Sequence, residues 1–329
     1  MSADIRRLSP ACAVAGGTVT IDGAGFAVSP GQLPAITIGG QSVPLSRASA
    51  SSLTLRIPEG LPAGLQPVAV EGVHGATAFV QIGSVVTTGV HQVDSPVFDQ
   101  QGRLYATLSG GRGQETPVSV FRVERDGSRE ALVTGLANAT GLAIDAQGVL
   151  HVSSRFEGVV YAVTADGTFT KRADDLGVAC GLAFGADGSL YVGDRTGTVF
   201  RVRDGETSPE VFATLPSSIA AFHLAMSPDG VLHVTAPTLN SSDAVHRITP
   251  DGQVERWVDG FGRPQGLAFD TAGTLHVVDA LAGDSGVYRV TPDGHRDLLV
   301  SGQGLLGVAF DSLGGFVVCT SDTIYRFPS

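Results

Sequence analysis

The chain has 329 residues, with 21 basic against 32 acidic side chains and a formal net charge of −11 at pH 7. That balance repels a polyanion and argues against nucleic acid as a partner. No run of about 18 apolar residues occurs, so no membrane helix is expected. The 44 glycines and 17 prolines suit a turn-rich all-β protein long enough for one large or two ordinary domains. Cys12, Cys180 and Cys319 show neither a CxxC pair nor zinc spacing, and the opening MSADIRRLSPACAVAGG lacks an apolar run of signal-peptide length. Free thiols and a cytoplasmic location are the expectation.

Residues 1–83 read as short alternating strands, GGTVTIDGAGF, AITIGGQSVPL, SSLTLRIPEG, QPVAVEG and ATAFVQIG, cut by Gly, Pro and Ser clusters. This is the pattern of a small β-sandwich. The stretch LSPACAVAGGTVTIDGAGF followed by IGGQSVP resembles the IPT/TIG immunoglobulin-like domain, found at the front of many multidomain bacterial proteins. The resemblance implies a spacer or partner-binding domain without chemistry of its own.

From Ser95 onward one phrase returns six times: SPVFDQQGRLYATL, GLAIDAQGVLHVSS, GLAFGADGSLYVGD, HLAMSPDGVLHVTA, GLAFDTAGTLHVVD and GVAFDSLGGFVVCT. A period of roughly forty residues in an all-strand segment predicts propeller blades, each burying its faces against its neighbours. Each phrase supplies two strands, a third follows (GVVYAVTADG, GVYRVTPDG) and a fourth leads into the next repeat. Residues 84–329 therefore read as a six-bladed β-propeller. The last repeat ends at TIYRFPS after three strands, so the segment at 85–88 is expected to complete that blade and close the ring. On this reading, removing residues 1–89 damages the propeller and removing 1–82 does not.

In such a ring, the loops before the inner strands and after the second strands share one face, around the central channel. Two of those loops are long, SGGRGQETPVS and APTLNSSDA. The phrase VDSPVFDQQGRLY resembles the first-blade motif of the gluconolactonase and senescence-marker family, and the repeats also resemble NHL repeats. The former resemblance implies a divalent, calcium-type cation held by the residues before each Gly-Leu step, which polarises a lactone carbonyl and activates water. Carried over, those positions are Asp94, Thr140, Cys180, Phe222, Gln265 and Leu306. Asp94 is a hard-cation ligand and Gln265 a carbonyl donor, with Asp194 and Asp279 the candidates to complete a shell. The other reading of Asp94 is a carboxylate accepting backbone hydrogen bonds where a strand begins.

His223 replaces the glycine of its step and is a candidate general base, against a histidine held by structural hydrogen bonds. Cys180 is a candidate nucleophile if a base activates it, against a buried core thiol. Arg155 and Arg195 fall at equivalent positions of consecutive blades, and with Arg112 and Arg263 could grip a carboxylate. Gln265, Asp194 and Asp279 complete the candidate substrate-binding set. Three functions are open: hydrolysis of a small lactone or ester at the channel mouth, non-catalytic binding of a small, anionic molecule or a protein, and a lyase of the streptogramin-opening type.

Overall fold

The computed structural model describes residues 3–74, 77–91, 95–280 and 285–329. All regular elements among them are strands, and no helix there is long and apolar enough to cross a membrane. At the front, Asp4–Ser9, Thr18–Ala24, Ser52–Arg56 and Leu45–Ala48 form an antiparallel sheet in that spatial order. Alternation makes it a half-buried layer: Val19 and Ile21 turn inward with Leu53 and Leu55, whereas Asp22 faces out. They pack against Ile36, Ile38, Val68 and Val80 of a second sheet. The result is the expected β-sandwich.

The propeller phrase has a physical explanation at both ends. At its turn, Asp99 Oδ1 accepts from the backbone N–H of Gln101 and Arg103, each at 2.9 Å. Asp145, Asp270 and Asp311 repeat this arrangement. In blade four Ser227 takes over, its hydroxyl receiving the Val231 N–H at 2.9 Å. The glycine of the turn sits at positive φ, from Gly102 at 76° to Gly314 at 85°, where a side chain would be strained. At its start, the glycine before Leu marks backbone-to-backbone packing of inner strands. A Cβ on Gly141 or Gly181 would stand well under 3.0 Å from the carbonyl oxygen of Cys180 or Phe222 in the next blade.

Inner strands Val97–Phe98, Ala139–Ile144, Ala179–Phe184, His223–Met226, Pro264–Phe269 and Leu305–Phe310 each contact the next, and the last contacts the first. The six sheets thus form a closed ring. Blade six is completed by Ser84–Thr88, which pairs antiparallel with Thr323–Phe327 in the register Val85↔Tyr325 and Thr88↔Thr323.

The front sandwich is joined to the ring at a second place. Cys12–Ala13 runs parallel to Arg296–Ser301 of blade five on one side and to Ala78–Ile82 on the other. Blade five and the second sandwich sheet therefore continue as one nine-stranded sheet. Around this joint Thr18 N–H donates to Ser301 Oγ at 2.7 Å, Arg56 donates to Gln303 Oε1 at 2.8 Å, and Val14 packs with Val300 and Phe327. The expectation that residues 1–82 contribute nothing to the propeller overlooks this joint, since removing them exposes an edge of blade five.

Candidate functional site

The rim loops around the channel follow a common plan. In blades two, three and five the residue leaving the second strand reaches across to the loop before its own inner strand: Arg155 N–H donates to Asn138 O at 3.3 Å, Arg195 N–H to Val178 O at 3.1 Å and Ala280 N–H to Arg263 O at 3.2 Å. The residue just before it anchors that loop. Asp194 Oδ1 accepts from Val178 N–H at 2.8 Å and Thr196 N–H at 3.1 Å, and its other oxygen receives the Thr196 hydroxyl. Asp279 accepts from Gly262 N–H at 2.8 Å and Arg263 N–H at 2.7 Å. Ser154, in the same slot of blade two, donates to Ala137 O at 2.7 Å. Asp194 and Asp279 are buried, with their carboxylates turned into their own loops. As candidate ligands for substrate or cation they face the wrong way, because unpaired backbone N–H groups beneath the rim draw them inward.

What the anchors hold up is a set of arginines. A cavity of about 630 Å³ on the outer rim is lined by Arg112, Asn138, Arg155, Phe156, Arg195 and Ser218, among others. A second, of about 450 Å³ over the channel mouth, is lined by Arg155, Arg195, Arg263, Gln265, Ile219 and Leu306. Arg155 and Arg195 belong to both. Among the described residues, no carboxylate lines either cavity, and Arg112, Arg195 and Arg263 form no ion pair. Arg195 donates to the carbonyls of Ser218 at 3.4 Å and Ile219 at 3.1 Å, and Arg155 to Ser109 Oγ at 3.3 Å. The Nε of Arg263 is buried with no hydrogen-bond partner among the described residues. Four guanidiniums thus gather around two adjoining cavities in a protein of net charge −11.

Asn138, which sequence reasoning passed over as a site residue, organises this rim. At φ 50° it directs Oδ1 to the Gly113 N–H at 2.7 Å and Nδ2 to the carbonyls of Gly110 at 2.9 Å and Gly111 at 3.0 Å. One side chain thereby fixes the long first loop that carries Arg112. The left-handed backbone that asparagine tolerates is the only local signal of this role.

The remaining sequence candidates lie deeper. His223 is 2% exposed and lines the central channel, a cavity of about 420 Å³ walled by the inner strands down to Phe184, Phe269 and Phe310. The Cys180 thiol is buried and donates to Val178 O at 3.3 Å. Thr140 donates to Asn138 O at 2.9 Å and Phe222 is fully buried. Asp94 lies outside the described residues. A calcium-type ion needs six to eight oxygen ligands. Among the described residues no group of three or more His, Cys, Asp or Glu could hold a metal, and Thr140, Cys180, Phe222, Gln265 and Leu306 are not such a shell. The described members of that set do not by themselves fit such an ion.

Residues 3–89 match the IPT/TIG domain family. That span includes the strand Ser84–Thr88, which the fold places in blade six. An auxiliary nutrient binding protein from Bacteroides ovatus is similar over both parts, covering 100% of this chain and 98% of its own at 15% identity, with a TM-score of 0.55. The propeller is similar to a gluconolactonase from Xanthomonas campestris, at 19% identity over 74% of this chain and 88% of that one, TM-score 0.62. It is also similar to virginiamycin B lyase from Staphylococcus aureus, at 16% identity over 73% and 85%, TM-score 0.50. At such identities the likeness is one of fold. No curated protein sequence matches the chain.

Proposed function

We propose that this protein is a binding propeller that captures a small anionic molecule at its channel mouth, with the IPT/TIG domain as a rigidly joined spacer. One observation carries the reading: Arg112, Arg155, Arg195 and Arg263, from loops of four blades, line two adjoining cavities in which no described residue supplies a carboxylate. Arginine suits this task because its planar fork meets a carboxylate with two parallel hydrogen bonds. The likeness of both parts together to a nutrient binding protein supports the same reading.

Lactone hydrolysis, the reading drawn from the gluconolactonase resemblance, has less support. It asks for a cation shell that the described strand-start residues do not supply, and for Asp194 and Asp279 to leave the amides they hold. The test is a melting-temperature screen of small carboxylates, phosphates and sulfonates beside their neutral amides or alcohols, with a lactone and aryl-ester turnover assay on the same protein. Stabilisation by anions alone, without turnover, is the expected result. Equal response to neutral analogues, or turnover that Asp94→Ala abolishes, would overturn it.

A further inference from the structure

The two cavities are not equivalent, and their difference bears on the ligand. Arg155 and Arg195 form the wall between them; Arg112 belongs to the outer cavity alone and Arg263 to the axial one alone. Each compartment thus has one arginine of its own and a share in two others.

Charge balance argues against a ligand with a single anionic group. A carboxylate has two oxygens and is saturated by one or two guanidinium forks. Seated at the shared wall it would leave Arg112 and Arg263 without a counter-charge, and neither forms an ion pair among the described residues. Arg263 sharpens the point, because its buried Nε has no acceptor there. A buried donor left unsatisfied costs stability, and a ligand oxygen would supply its partner. The exposed Arg112 stands on the loop that Asn138 fixes with three hydrogen bonds to backbone, which sets the position from which this arginine reaches the outer cavity.

We infer that the mouth takes a ligand with two separated anionic groups, one in each compartment, of the dicarboxylate class. This rests on the anion-binding reading above. Half-exposed Phe156 lines the outer compartment and Ile219, Ala221 and Leu306 line the axial one, and no described residue lining either is a carboxylate, so the segment between the two charges is expected to be short and uncharged.

The experiment is calorimetric titration of the full chain with succinate, glutarate, adipate and pimelate, each beside its monocarboxylate of equal carbon number. At least one dicarboxylate is expected to bind about tenfold or more tightly than its partner. That ratio should fall towards one in Arg112→Gln and in Arg263→Gln. Ratios near one in the unmodified protein would overturn the two-anion inference while leaving single-anion binding intact. No binding of either class would overturn both readings. A preference for dicarboxylates that persists in both variants would overturn the assignment of one charge to each compartment.

Discussion

Protonating His233 would set a second positive charge against Arg247. Its Nδ1–H donates to Val231 O at 3.1 Å, its Nε2 accepts from Arg247 Nε at 3.2 Å, and Trp257 and Phe269 close over it edge-on. Burial lowers its pKa from the usual 6.5 to about 4, opposed first by the hydrogen bond to Val231 O and then by Asp229, with Arg247 adding to the lowering. His151 and His276, at the same strand position in other blades, are also lowered by burial. A histidine whose folded pKa is depressed binds fewer protons in the native state than in the unfolded one. Its contribution is therefore present above pH about 6.5 and lost as pH falls towards 4, by at most about 3 kcal/mol for His233. Melting temperature should fall between pH 7 and pH 4.5, and His233→Phe should flatten that slope; an unchanged slope would remove His233 from the account. At the rim, Asp279→Ala leaves the Gly262 and Arg263 N–H groups without acceptors and should cost about 2–4 kcal/mol in chemical denaturation. The sequence marks Asp194 and Asp279 as rim carboxylates but cannot say whether they face a ligand or their own loop. That depends on the chain path, which brings the N–H of Val178 and Gly262 beneath them. Asn138 was illegible for the same reason, as its acceptors lie in the loop of the preceding blade. Arg155 and Arg195 were legible, because the phase of the repeat alone sets them side by side.

Between elements, distances are set by backbone. The inner strands approach so closely at the Gly-Leu step that Gly181→Ala forces its methyl into the Phe222 carbonyl; a loss of about 3 kcal/mol is expected by calorimetry. A loss under about 1 kcal/mol would mean that the strands part easily. The seam in blade six could be read from the missing fourth strand, since a repeat count exposes a deficit. The joint of Cys12–Ala13 with blade five could not, because two residues in parallel pairing leave no periodicity to detect. That joint changes the expected outcome of truncation. Removing residues 1–82 should lower the melting temperature by exposing Val14's partners and the edge of blade five, and removing 1–89 should lower it further by opening blade six. If the shorter truncation melts with the full chain, the joint carries no energetic weight.

At the scale of the whole molecule, six blades and a sandwich share strands at two places, so the rim loops stand on a closed and braced ring. The fold was legible because the blades repeat one turn chemistry, an Asp holding two N–H groups in four of them, with Asp187 and Ser227 each holding one in blades three and four, and Gly at positive φ throughout. The function was less so, because ligand chemistry is written in loops that the repeat does not constrain. Four arginines spread over 152 positions of sequence become one surface only when the ring closes, and that no described residue lining their cavities is a carboxylate is a property of that surface. The most direct test is calorimetric titration of the tightest carboxylate from the screen into the unmodified protein and Arg195→Gln, at about 20 mM and about 200 mM salt. Arg195 is the arginine common to both cavities whose own contacts are to carbonyls. Binding should weaken at the higher salt and drop about tenfold or more in the variant. Equal affinity in the two proteins, or indifference to salt, would contradict an arginine-lined anion site.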